Sequence, residues 1–241
     1  MNRGGYMDRQ YTSKHTILEE KLGYSFSDTG YLLLALTHST YAYEHRKQNV
    51  VSNQRLEFLG DAILDFIIGE EIYKRRIRWN EGELSKTRAL VVCEKTLAKV
   101  AESLEVGELL FLGKGEESTG GRTKISTLAD TMESLFAAIY LDGGFDAAKG
   151  VILSCLSPYV EQAVSGNLIF DYKSKLLEKA QMKNDPHELS FQVVEENGPV
   201  HDRTFVVAVI LDGNEIVRAE GRSKKEAEQE ASRLTLEKWN G

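Results

Sequence analysis

The sequence predicts two domains: an all-α domain over residues 1–165 and a small α+β domain over 171–241, joined by a linker at 166–170. Three observations carry this prediction. Apolar residues in the first part recur at the 3.6-residue spacing of helices, with no strand-like alternation. Ser165-Gly166-Asn167 marks a composition shift of the kind that separates domains. Beyond it, apolar and polar residues alternate, as in a strand with one buried face.

Helical patterning begins at Lys14. Ser27 and Asp28 are cap residues before the run Tyr31-Leu32-Leu33-Leu34. A helix over about 53–76 presents Leu56, Leu59, Ile63, Ile67 and Ile68 on one face. Another is expected over about 83–104, and Gly113 to Arg122 reads as a glycine-rich loop. A helix over about 123–141 should stop at Gly143-Gly144, and one more follows that Pro158 should kink or end. In the second domain Asp171 to Gln181 is a short helix. Leu189, Phe191 and Val193 alternate as a first strand, Phe205 to Leu211 is a second, and Glu215 to Ala219 is a third. Asp212-Gly213-Asn214 is the tight turn between the last two. A closing helix over 223–239 has Ala227, Ala231 and Leu234 on one face. The order is α-β-β-β-α.

Of the 241 residues, 41% are apolar, enough for real cores, and the net charge is −7. An acidic chain excludes a broad basic surface, so any nucleic-acid contact must come from local patches. No apolar run approaches the roughly 20 residues of a membrane span, and the polar start of the chain has no signal-like core. Cys93 and Cys155 are the only cysteines, both in apolar helical stretches, and read as buried free thiols of a reducing cytoplasm.

The segment Gln54-Arg55-Leu56-Glu57-Phe58-Leu59-Gly60-Asp61 is the most informative. Glu57 and Asp61 are four apart and share a helix face, where like charges repel. Asp130 and Glu133 form a second pair on another apolar helix, and Glu81 opens a third. Acidic pairs at helical spacing usually mark a solvated surface. Two such pairs on apolar helices can instead build an oxygen-only site, the kind that Mg²⁺ prefers. Such an ion lowers the pKa of a water and offsets charge on a phosphate, so no side-chain nucleophile is needed.

The run Arg55-Leu56-Glu57-Phe58-Leu59-Gly60-Asp61 resembles the hallmark of the ribonuclease III family. Leu36-Thr37-His38-Ser39, Gly113-Lys114-Gly115-Glu116-Glu117 with Gly120-Gly121-Arg122, and Asp130-x-x-Glu133 with Ala138 to Asp142 agree, in the same order. The resemblance implies a Mg²⁺-dependent endonuclease for double-stranded RNA, with Mn²⁺ able to substitute, acting as a cytoplasmic homodimer. It implies that Glu57, Asp61, Asp130 and Glu133 are the metal carboxylates, that Asp61 and Glu133 are the most critical for catalysis, and that Glu81 is a further cleft acid. It implies products with 5′-phosphate and 3′-hydroxyl ends and short 3′ overhangs, drawn from ribosomal RNA precursors and structured messenger and transfer RNA transcripts. Phe58 matches an aromatic that the family inserts into the partner subunit, and core packing is the equal alternative. His38 is better explained by packing or capping than as a base. Gln54 stands where many members have glutamate. It keeps a hydrogen-bonding oxygen without the charge, so activity should survive while cleavage-site choice or metal dependence could differ.

In the second domain Ser223-Lys224-Lys225-Glu226 suits a capping box that starts the last helix. Two lysines in a first turn oppose the helix dipole unless an anion arrives. Ordinary solvated lysines are the alternative. With Gly198-Pro199-Val200-His201 between the first two strands, the domain resembles the double-stranded RNA-binding domain, which reads A-form shape across two minor grooves. That resemblance implies that Ser174, Glu178 and Gln181 meet one groove, Pro199 to His201 the second, and Lys224 and Lys225 the phosphates between. Leu177 departs from the glutamine that relatives often carry. Residues 171–241 hold 11 Lys+Arg against 14 Asp+Glu, so few cations carry binding and affinity should fall steeply with salt.

Overall fold

A computed structural model describes residues 11–182, 186–199 and 203–240. The chain divides into two compact units at Leu168/Ile169.

The first unit is helical: α1 (Ser13–Leu22), α2 (Thr29–Ala35), α3 (Ser39–Glu44), α4 (Gln54–Arg75), α5 (Glu81–Val92), α6 (Glu94–Ser103), α7 (Lys114–Ser118) and α8 (Ile125–Val164). Asp28 caps α2 by accepting from the Gly30 amide. The core lies between α4 and α8, which bury Leu56, Leu64, Ile67 and Ile68 against Met132, Leu135, Phe136 and Ile139.

Three expectations need correction. The buried stripe of α4 passes through Gly60 and Leu64, while Leu59 and Ile63 are only half-buried. The helix expected over 83–104 is two helices. Cys93 adopts an extended conformation (φ −69°, ψ 155°) and starts α6 afresh. The glycine-rich stretch 113–122 contains the short helix α7 and a 3₁₀ turn at Gly121–Thr123. The stop expected at Gly143-Gly144 is present: α8 is two helices that meet in a kink at Gly144 (φ 82°, ψ −175°), and Pro158 lies within the second without ending it. Gly144 has the positive φ that glycine tolerates, so the first helix ends there and the second starts in a new direction.

The second unit contains α9 (Tyr172–Ala180), β1 (Leu189–Asn197), β2 (Thr204–Leu211), β3 (Asn214–Gly221) and α10 (Lys224–Asn240). The strands form an antiparallel sheet in the order β1-β2-β3. Asp212 and Gly213 both have positive φ (50° and 78°), which turns the β2–β3 hairpin tightly. Leu176, Val209, Ala219, Ala231 and Leu236 make the core, with Phe191 and Trp239 packed against it. The expected inward run of β1 fails at its third member. Val193 is 42% exposed, the last residue before a register shift between Val193 and Glu195 that breaks the alternation beyond it.

Among the described residues no helix is long and apolar enough to cross a membrane. Both cysteines are free and half-buried, and burial pushes the Cys155 thiol up to about 11.

Candidate functional site

The acidic pairs of α4 and α8 meet because Gly60 allows it. A Cβ on Gly60 would stand 1.9 Å from the backbone oxygen of Glu133. The two helices therefore touch backbone to backbone one residue from Asp61. Asn53 fixes the start of α4. Its side-chain amide donates to the Ala35 carbonyl at 3.1 Å, and its backbone amide donates to Thr37 O at 2.9 Å. The Asn53 carbonyl accepts from Leu56 and Glu57 amides, and the Ser134 hydroxyl of α8 approaches it at 3.4 Å.

The electrostatics of this junction are one-sided. Burial, then Asp61, Asp130, Glu57 and Glu94, push the Glu133 carboxyl up to about 8. Burial and Asp130 raise Glu57. Burial raises Asp130, helped by Glu94 and opposed by His38 and Lys124. Glu57, Asp130 and Glu133 are half-buried and Asp61 is exposed.

Glu94 is the acid that reading the sequence missed. It begins α6, so the break at Cys93 brings its charge to bear on Asp130 and Glu133. Taking 83–104 as one helix hid that break, although a Cys-Glu step before a strongly amphipathic segment was a usable signal. Glu81, in contrast, is not among the charges acting on Glu133. It occupies the first turn of α5, capped by Asn80, and accepts from the Ser85 hydroxyl at 2.8 Å. His38 is the N-cap of α3, with Nδ1 accepting from the Thr40 amide. Phe58 is 81% exposed, so it does not pack in the core of its own chain.

In the second unit Ser174, Glu178 and Gln181 are all exposed at spacings that share one face of α9. The Ser174 hydroxyl and amide donate to Asp171, the N-cap of α9. Pro199 is exposed at the end of β1, and His201 lies outside the described residues. Leu177 is half-buried. Ser223 accepts from the Glu226 amide at 3.1 Å, while the Glu226 carboxylate accepts from the Arg222 amide at 2.9 Å, one residue before the expected partner. Lys224 and Lys225 are exposed in the first turn of α10.

Residues 28–159 match the ribonuclease-III-like family and residues 172–238 the double-stranded RNA binding motif. A Ribonuclease 3 of Pelotomaculum thermopropionicum is 43% identical over 225 residues, covering 93% of each chain. A Ribonuclease 3 of Caldanaerobacter subterraneus is 45% identical over 223 residues, 92% of this chain and 97% of that one. The chain belongs to the ribonuclease III family. As a ribonuclease III, it is an endoribonuclease acting on double-stranded RNA. Its fold is also that of the solved nuclease domain of Campylobacter jejuni ribonuclease III, at 40% identity and a TM-score of 0.55, over 60% of this chain and 94% of that one. A second description of that domain concerns the region involved in its dimer formation.

The ribonuclease III family is generally dependent on a divalent metal, and the acid cluster suits one. All-oxygen ligands match a hard cation. A half-buried carboxylate among like charges stays ionised at neutral pH only when a cation offsets them. Among the described residues no three His, Cys, Asp or Glu side chains are grouped closely enough to hold an ion as they stand.

Proposed function

We propose that Glu57, Asp61, Asp130 and Glu133 hold Mg²⁺, with Mn²⁺ able to replace it, and that Asp61 and Glu133 matter most for hydrolysis of the RNA phosphodiester. The observation that carries this reading is the close approach of Gly60 to Glu133, beside which the two acidic pairs act on one another as like charges. The ion would supply an activated water and offset charge on the phosphate. The chain's own part is to hold the carboxylates on two locked helices and to keep Glu133 half-buried. Glu81 is a further acid of the cleft. The products have 5′-phosphate and 3′-hydroxyl ends with short 3′ overhangs. Ribosomal RNA precursors and structured messenger and transfer RNA transcripts are the substrates, met in the cytoplasm.

The second unit would supply duplex recognition: Ser174, Glu178 and Gln181 at one minor groove, Pro199 and His201 at the next, Lys224 and Lys225 on the phosphates between. Two compact units joined near residues 166–170 support the division of labour, with 1–165 catalytic and 171–241 RNA-binding.

The working form is a homodimer, with Phe58 reaching the partner subunit. Phe58, Phe66, Tyr73 and Ile77 of the α4 region are 60–89% exposed, an apolar stripe that water does not favour.

The test is cleavage of a long perfect RNA duplex by the full chain, in Mg²⁺ and in chelator, with the ends of the products determined. Mg²⁺-dependent cutting to short duplexes with 5′-phosphates is expected. Tight binding without cutting would instead make the chain an RNA-binding dimer, and cutting in chelator would remove the metal from the reading.

A further inference from the structure

The two lysines at the start of α10 are alike in sequence and unlike in surroundings. The Lys224 ammonium lies 2.9 Å from Oε1 of Glu196 and 5.4 Å from the centre of the Phe205 ring. Oε2 of the same carboxylate stands 3.4 Å from the guanidinium of Arg203. Among the described residues Lys225 has no ion pair. The arrangement follows from the sheet register. Glu196 and Phe205 are partners across β1 and β2, so the lysine stem crosses Phe205 to reach the carboxylate. Both cations hold the Glu196 carboxyl below its usual range.

We propose that Glu196 is an internal stand-in for RNA phosphate: its carboxylate occupies Lys224, flanked by Arg203, until a duplex phosphate displaces it. This rests on the reading of Lys224 as a phosphate contact. A carboxylate and a phosphate oxygen are both charged acceptors for the same ammonium. Every residue of the trio is at least 39% exposed in its side chain, so the pair is weak and screened by salt. A weak internal partner is one that phosphate can replace. Glu196 therefore lowers duplex affinity and, by neutralising Lys224 in advance, reduces the number of ions released on binding. It thereby tunes how strongly the module holds RNA without touching a base.

The experiment measures binding of the full chain to a synthetic RNA duplex of about 16 base pairs, one module's span, in chelator across a salt series. Glu196→Gln should bind about two- to fivefold tighter at low salt and steepen the log–log salt slope by up to about 0.9. Glu195→Gln, which removes a neighbouring charge of the same strand, should gain less. In a Lys224→Ala background Glu196→Gln should gain nothing. Unchanged or weaker binding by Glu196→Gln, at an unchanged Tm, would overturn the inference. So would an equal gain in the Lys224→Ala background, which would reduce the effect to bulk charge. If Lys224→Ala alone leaves affinity unaltered, the phosphate reading of Lys224 falls first. If Lys224→Ala weakens binding and Glu196→Gln changes nothing, only the role of Glu196 falls.

Discussion

The α4–α8 junction and the start of α10 handle charge in opposite ways. At the junction Glu57, Asp61, Asp130, Glu133 and Glu94 act on one another as like charges, and the weaker influences of His38 and Lys124 on Asp130 do not balance them. In the RNA-binding module several ions have local partners of opposite sign: Lys224 and Arg203 on Glu196, Lys173 on Glu228, Arg218 on Glu215, Arg233 on Glu230. The first region is strained toward a cation and is held together by packing. In the second, cations and carboxylates are paired locally, and a ligand that takes Lys224 must exchange one ion pair for another. A half-buried site can keep unbalanced charge only because a helix interface forbids relaxation, whereas an exposed surface relaxes by pairing.

The largest effect should follow from removing a charge at the junction. Glu133→Gln should cut the rate of duplex cleavage in Mg²⁺ by more than the about 10–100-fold that loss of an outer ligand partner costs, while duplex binding persists. Residual cleavage near the wild-type rate would show that the junction's charge is not what the reaction uses.

Gly60→Ala attacks the packing instead of the charge. A Cβ at 1.9 Å from Glu133 O cannot be accommodated, so α4 and α8 must part. Denaturant unfolding should reveal a loss of about 1–3 kcal/mol alongside lost cleavage. Full stability in this variant would mean that the close approach is not what joins the two acidic pairs.

Titration sharpens the contrast. The folded-state value of Glu133, about 8, lies above its ordinary value of 4.5. Its contribution to stability is therefore complete below about pH 4.5 and lost as pH rises toward 8. In chelator, Glu133→Gln should be more thermostable than the wild type at pH 8 and level with it near pH 5. Each kcal/mol is worth about 2–4 °C. Added Mg²⁺ should erase the wild type's deficit by binding the folded state. A Tm difference that does not vary with pH would refute the strained junction.

On the neutralised side, effects should be smaller. Lys225, which has no ion pair to break among the described residues, should contribute a full phosphate contact: Lys225→Ala should flatten the salt slope of duplex binding by about 0.9. The smallest change is expected from Gln54→Glu. Gln54 is exposed at the first position of α4 and approached by the Ser52 hydroxyl at 3.3 Å. Cleavage rate should hold while site preference or metal response shifts. A large rise in rate would instead make Gln54 a defect of the site.

The sequence by itself determined the two-domain order, the α-β-β-β-α module, and the two acidic pairs, since periodicity and i,i+4 or i,i+3 spacing are properties of one helix or strand. It also contained the family resemblance that the matches bear out. Tertiary structure decided what lay between elements. The depth of Gly60 was invisible because a glycine adds nothing to an apolar stripe, yet it sets the distance of closest approach. Glu94 joined the acids through a break at Cys93 that local pattern blurred. The bulge after Val193, and the register that sets Glu196 across from Phe205, arise from pairing with β2. Glu196 thereby came to lie beneath a lysine 28 positions later. Contacts between distant segments depend on how faces dock and on backbone register, and neither is written in the period of either segment alone.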